Sequence, residues 1–188
     1  MTLLALLRHG QTDWNFERRV QGRTDIPLND TGRAQALVAA DTLRGGDWTR
    51  IVASPLRRAE ETAEIIASVL ELDAPSTHAG LVERDYGQGE GVLVADFFAR
   101  WGDGPVPGAE TLDELATRAH DAIAEVAAVA PAEPTIVVAH GGLIRSLIGL
   151  ATDGRLPAPG ERLENASVTL FALEDSGLEL VQYTTASA

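Results

Sequence analysis

Leu3, Leu4, Ala5, Leu6 and Leu7 follow one another without a polar interruption. A run that short and continuous reads as a strand buried on both faces, as in a parallel sheet. Arg8 and His9 come directly after it, and Gly10 permits a sharp turn. The pattern recurs at Thr135 to Ala139, a β-branched run that ends at His140-Gly141-Gly142. Between the two, Arg50 to Ala53 predicts a second strand followed by Ser54-Pro55, a cap serine with proline at the first helical position. Pro75 to Thr77 predicts a brief edge strand. Strands over about 167–173 and 178–184 flank a hairpin turn at Asp175-Ser176-Gly177.

The intervening segments carry helical spacing. Asn29, Asp30 and Thr31 supply cap oxygens for a helix whose stripe is Ala34, Leu37, Val38 and Leu43 and which stops at Gly45-Gly46. A second helix runs through Ala59, Thr62, Ala63, Ile66 and Val69. A short one covers 93–101, with Phe97 and Trp101 one turn apart. A strong one covers about 110–130, and a last one Leu143 to Leu150. Residues 16–30 have no periodicity, and loops of that length in compact domains usually carry function. Residues 79–91 are glycine-rich and hold Glu83, Arg84, Asp85 and Glu90. Strands alternating with helices predict a three-layer α/β/α sandwich around a mostly parallel central sheet. No repeat or linker divides the chain, so one domain over 1–188 is expected. Ligands of such sheets bind beyond the carboxyl ends of the strands, which is where Arg8, His9 and His140 fall.

Composition narrows the partners. Hydrophobic residues make up 45% and charged residues 23%, an ordinary globular balance with no stretch long enough to span a membrane. Fifteen basic against 28 acidic residues leave a net charge of -13, which disfavours nucleic acid and anionic membranes as partners. With no Cys, thiolate chemistry, disulfides and Cys-based zinc sites drop out. The chain begins on a strand-like run instead of a basic region and cleavage site, so a cytoplasmic location is expected. The C-terminal strand and tail offer a surface for a homodimer contact.

The basic residues concentrate chemistry in two segments, 8–23 and 57–58, beside the strand ends. Arg binds phosphate oxygens with paired hydrogen bonds and neutralises the charge that builds in phosphoryl transfer. An imidazole nitrogen is a competent nucleophile that forms covalent intermediates. Arg8, His9, Arg58 and His140 therefore suit a phosphohistidine reaction. The leaving alkoxide then needs a proton from a carboxylic acid. Glu83, in a glycine-flanked loop, is the leading candidate, and spacing alone keeps Asp85 and Glu90 as rivals. The four histidines, His9, His78, His120 and His140, form no HxxxH pair, which disfavours a metal site. His78 and His120 read as surface residues.

These residues resemble the histidine phosphatase superfamily, in its phosphoglycerate mutase-like branch. Arg8-His9-Gly10-Gln11-Thr12 with Asn15 resembles the RHG-[E/Q]-T-x-x-N signature. Gln21 to Leu28, Gly32-x-x-Gln35-Ala36, Ser54-Pro55-Leu56-Arg57-Arg58-Ala59-x-x-Thr62-Ala63, Leu81-x-Glu83, Gly87-x-x-Glu90-Gly91, Pro107 to Thr111 and Ala139 to Gly142 follow in the family's order. The resemblance implies that His9 is the nucleophile, Glu83 the proton donor, and Arg8, Arg58 and His140 the phosphate pocket. Asn15 then helps hold the phosphate, Gln21 and Gly22 line its edge, and Gly141 belongs to the second His-Gly turn. It also implies no metal, no organic cofactor, and a sheet with one antiparallel edge strand. Two departures stand out. Ala109-Glu110-Thr111 replaces a Gly-Glu-Ser-like segment, and Gly89 occupies a position where an aromatic is common, which predicts a looser pocket rim.

Mutase relatives carry a Lys-, Arg- and Tyr-rich insertion after the acid. Residues 84–110 hold Arg84, Tyr86 and Arg100 without a Lys, so a phosphatase is expected over a mutase. A non-catalytic phosphate sensor would lack the nucleophile or the acid, and both are present. The expected substrate is a small phosphorylated metabolite. Arg23, Arg84, Arg100, Phe97 and Trp101 are candidates for the outer pocket and 92–108 for a lid, with core packing as the plain alternative for Phe97 and Trp101.

Overall fold

A computed structural model describes residues 1–158 and 160–183. Six strands form one sheet: β1 (Thr2–Arg8), β2 (Arg50–Ala53), β3 (Ser76–Thr77), β4 (Thr135–Ala139), β5 (Val168–Glu174) and β6 (Gly177–Gln182). Their order is β3-β2-β4-β1-β5-β6. The first four run parallel, and β5 runs antiparallel to both β1 and β6. The resemblance implied an antiparallel strand at the edge, but β5 lies one place inside it. β6 folds back along its outer side and takes the edge. The part of the predicted last strand and tail at 184–188 lies outside the described residues.

The helices are α1 (Asp13–Phe16), α2 (Asp30–Leu43), α3 (Arg57–Leu70), α4 (Val94–Trp101), α5 (Leu112–Val129) and α6 (Gly141–Ala151). Alternation along β1 sorts its side chains between two cores. Leu4 and Leu6 pack with α5 and α6, while Ala5 and Leu7 pack with α2 and α3. That is the three-layer sandwich. Each fully buried leucine is worth about 1.5–3 kcal/mol over leaving it in water, which is why β1 can sit in the middle of the sheet.

Two local expectations differ from the fold. On α2 the buried residues are Gly32, Ala36, Ala39, Ala40 and Leu43, whereas Ala34, Leu37 and Val38 face solvent. The alanines win because α2 lies close to α3, and the larger Leu37 and Val38 would hold the helices apart. Helix α3 begins at Arg57, with Leu56 at its cap and no side-chain cap from Ser54. Asp25 does that work from the long loop: its Oδ1 accepts the backbone N–H of Arg57 at 2.9 Å. The short helix α1 was not visible in the apolar pattern. It is built by a capping box in which Thr12 and Asn15 bond each other's backbone N–H.

A third, smaller cluster of Val20, Phe97 and Val106, with Tyr86 and Trp101 against it, closes the region after the glycine-rich turn. Phe97 is core there, not pocket lining. A Cβ on Gly89 would come within 2.5 Å of Phe97 Cε2, so the missing aromatic at 89 leaves no loose rim because Phe97 fills that space. Thr111 caps α5 through a capping box with Glu114, so the altered Ala109-Glu110-Thr111 segment keeps its helix start.

Candidate active site

Register brings the site together. Arg8 pairs with Ala139, and Ala53 with Val138. Strands β1, β4 and β2 thus end side by side and deliver His9, His140 and Ser54 to one place. The backbone N–H of His9 bonds Ala139 O at 3.0 Å, and that of Ser54 bonds Val138 O at 2.9 Å. The following turn is tight because Gly10 and Gly32 touch. A Cβ on Gly10 would lie 2.3 Å from Gly32 O, so Gly10 is required for close approach more than for its turn. Its N–H bonds Thr62 Oγ1 at 3.1 Å.

His9 is 3% exposed, and its two nitrogens have different neighbours. Nδ1 lies 2.6 Å from Gly10 O, an atom that can only accept. Nε2 lies 3.2 Å from Arg58 Nε, an atom that can only donate. Together they assign the proton to Nδ1 and leave the Nε2 lone pair facing Arg58. Burial, with Arg58 and Arg8 nearby, lowers the His9 pKa well below its ordinary value of 6.5. His9 is therefore a neutral base at physiological pH. His140, at a ring-centroid distance of 5.2 Å, is likewise shifted far down by burial and by Arg58, His9 and Arg8.

Arg58 is fully buried and held by carbonyls: Nη2 donates to Gly22 O at 2.7 Å and Nη1 to Thr24 O at 3.0 Å. Burial lowers its pKa to about 10 against the pull of Glu83, Asp25 and Glu90, so it stays charged. Arg8 donates to Leu163 O, packs against Gly141, and has a buried Nε without a partner. Among the described residues, neither guanidinium has a carboxylate within ion-pair distance. Two desolvated cations without a counter-ion are costly unless an anion completes them. The carbonyls of Gly22 and Thr24 on Arg58, and of Leu163 on Arg8, aim them but cannot neutralise them.

Glu83, 6% exposed, sits on the N-terminus of α6. Its Oε1 accepts the N–H groups of Leu143 at 3.1 Å and Arg84 at 2.8 Å, and its Oε2 accepts Gly142 N–H at 2.8 Å. Oε1 is saturated, and Oε2 keeps a position for a proton. Gly142 has no room for a side chain, because a Cβ there would come within 2.5 Å of Glu83 Oε1.

The rival acids are used otherwise. Glu90 accepts the backbone N–H of Arg23, Thr24 and Tyr86 and the hydroxyl of Thr24, strapping the 22–24 loop down. Partial burial would raise its pKa, but these hydrogen bonds prevail and lower it. Asp85 Oδ1 accepts Gly87 N–H at 2.8 Å and shapes the turn.

Gln21 is fixed by its oxygen, which accepts from Thr12 Oγ1 at 2.8 Å and Asn15 Nδ2 at 3.1 Å. Its buried Nε2 is left without a partner. Asn15 orients Gln21 and in turn accepts from Asn165 Nδ2 at 3.1 Å. Asn165, just ahead of β5, also bonds His9 O at 3.0 Å; nothing in the sequence pattern marked it. Arg23 stands apart on the rim, 3.7 Å from both Asp85 and Glu110. Arg84 donates to Glu110 O and lies over the Tyr86 ring, while Arg100 lies over Trp101. His120 is exposed. His78 is half-buried, with Nδ1 capping the turn at Gly80 and Nε2 2.9 Å from Glu125.

A neutral imidazole beside two uncompensated arginines and a carboxyl group, at the ends of the strands, is an arrangement suited to a phosphoryl anion. The histidine phosphatase superfamily (branch 1) matches residues 4–186, and the chain belongs to that family. It is 37% identical to the uncharacterized phosphatase PhoE of Bacillus subtilis strain 168, over 97% of this chain and 94% of that one. It is 33% identical to the probable phosphoglycerate mutase GpmB of Salmonella choleraesuis strain SC-B67, over 94% and 87%. The solved structure of a mycobacterial glucosyl-3-phosphoglycerate phosphatase with VO3 superimposes with a TM-score of 0.85 at 30% identity, covering 98% of this chain and 99% of that one.

Proposed function

We propose that this chain is a cytoplasmic, metal-independent phosphatase that hydrolyses phosphate monoesters of small metabolites through a phosphohistidine on His9. The observation that carries the reading is the His9 ring, with its Nδ1 proton donated to Gly10 O and its Nε2 lone pair turned to Arg58. Nε2 attacks phosphorus, and the bond from phosphorus to the ester oxygen breaks on the opposite side. Arg58 moves from Nε2 onto a phosphoryl oxygen, joined by Arg8 and the free amide N–H of Gln21. Glu83 gives its proton to the departing alkoxide. Its carboxylate then takes a proton from water, which attacks phosphorus and breaks the P–N bond. Phosphate leaves and the lone pair returns to Nε2. The guanidiniums supply the charge neutralisation that a metal would otherwise provide.

Hydrolysis is favoured over phosphate return because the segment after Glu83 offers few groups to retain a product. Arg84 is anchored to Glu110, and Arg100 lies out over Trp101. The test is phosphate release in EDTA from phosphoglycerates, phosphoserine, sugar phosphates, nucleotides and p-nitrophenyl phosphate, with His9→Ala as the blank. Release by the wild type alone is expected. A requirement for divalent metal, or equal release by the blank, would overturn the reading. Interconversion of phosphoglycerate isomers without release would make the chain a mutase.

A further inference from the structure

Ser54 is fully buried at the end of β2, and its hydroxyl lies 2.7 Å from His140 Nε2. The two nitrogens of an imidazole point in nearly opposite directions. With β4 lying between β2 and β1, the Nδ1 edge of His140 faces the β1 side, where the His9 ring stands 5.2 Å away. Nδ1 is buried and has no hydrogen-bond partner among the described residues. The ring is neutral, so it carries one N–H, and the Ser54 contact decides on which nitrogen. The backbone N–H of Leu56 already donates to Ser54 Oγ, at 3.4 Å. The hydroxyl hydrogen is then free to go to Nε2.

We infer that Ser54 donates its hydroxyl hydrogen to His140 Nε2, keeping the His140 proton on Nδ1 as a donor to a phosphoryl oxygen. The other tautomer would aim a lone pair at the anion and remove one donor from a pocket built of donors. Ser54 is thus a positioning residue, which explains why it is not spent on capping α3. The catalytic consequence rests on the phosphatase reading; the tautomer itself does not.

Two-bond 1H–15N spectra of the full chain, which has four histidines, read the tautomer directly. The expected result is a protonated-type Nδ1 and an acceptor-type Nε2 for His140, with the Nδ1 proton shifting when inorganic phosphate is added. Ser54→Ala is expected to lose this preference and to lower kcat by about 10- to 100-fold, less than deleting a transition-state donor outright, with a smaller change in KM. Ser54→Thr, which keeps the hydroxyl, recovers both. A wild-type spectrum with the proton on Nε2 would overturn the inference. So would Ser54→Ala with an unchanged tautomer and wild-type kcat. The wild-type spectrum decides the matter even if the variant does not fold, or if no ester in the panel is cleaved.

Discussion

The two His-Gly turns are a matched pair that do opposite things. Each follows a buried strand, each presents a buried imidazole, and the strands that carry them are neighbours in register. At His9 the Nδ1 edge is tied back to Gly10 O, and Nε2 is the open, reactive edge. At His140 the Nε2 edge is tied to Ser54, and Nδ1 is the open one. The sequence motif is the same; the partner that happens to lie beside each ring sets which nitrogen works and whether it gives or takes. A carbonyl suits His9 to the nucleophile's part in the proposed reaction. A hydroxyl suits His140 to holding an oxygen.

The first way to break this comparison is to remove each ring. His9→Ala is expected to lower kcat by at least about 10³-fold, since in the proposed reaction His9 carries the covalent intermediate. His140→Ala is expected to cost about 10²-fold, as loss of one transition-state donor. Trapping of a labelled phosphoenzyme in alkaline denaturant, where a P–N bond survives, separates the two roles. The His140 variant still accumulates label and the His9 variant does not; label in the His9 variant would refute the division. Arg58→Lys comes next, at about 10²-fold in kcat/KM. A point charge cannot reach Gly22 O, Thr24 O and the reactive edge of His9 together, as the guanidinium does. Steady-state kinetics on one alkyl phosphate would measure it.

Much of this division was invisible in the chain. The strands were legible because Leu3 to Leu7 and Thr135 to Ala139 are unbroken apolar runs, and Arg8, His9, Arg58 and His140 stood at their ends or in quoted motifs. Spacing alone could not choose among Glu83, Asp85 and Glu90. What separates them is long-range: the α6 N-terminus receives Glu83, and the 22–24 loop consumes Glu90. Ser54-Pro55 reads locally as a helix start, yet β2 and β4 place Ser54 against His140, 86 residues away in sequence. Leu37 and Val38 carried the stronger apolar signal on α2, but the close α2–α3 approach selects the smaller alanines. In each miss, long-range packing overrode a correct local rule.

Glu83→Gln sharpens the comparison from the acid's side. The amide keeps one acceptor oxygen for the N–H groups of Leu143 and Arg84, loses the acceptor for Gly142 N–H, and cannot deliver the proton. Esters with poor alkoxide leaving groups are expected to slow about 10²-fold, and p-nitrophenyl phosphate, whose phenolate departs unaided, only by about a factor of a few. Equal slowing across a leaving-group series would remove Glu83 from the role of acid.

The smallest expected effect is on stability and comes from both rings together. His9 and His140 have folded-state pKa values well below 6.5, the value they regain when unfolded. Below pH 6.5 the unfolded chain therefore binds protons that the folded chain refuses, and stability rises with pH through that window. The contribution is fully present above pH 6.5 and is lost as pH falls from there toward the folded-state values. Thermal melts of the wild type are expected to drop in Tm between pH 6.5 and 5, and His9→Ala and His140→Ala should each flatten part of that drop. The acid limb of kcat/KM is set by His9 in the free enzyme and is expected well below pH 6.5. An acid limb centred at 6.5, with no flattening in either variant, would mean that the rings are not held neutral by their burial beside Arg58. The distinction between the two turns would then rest on geometry alone.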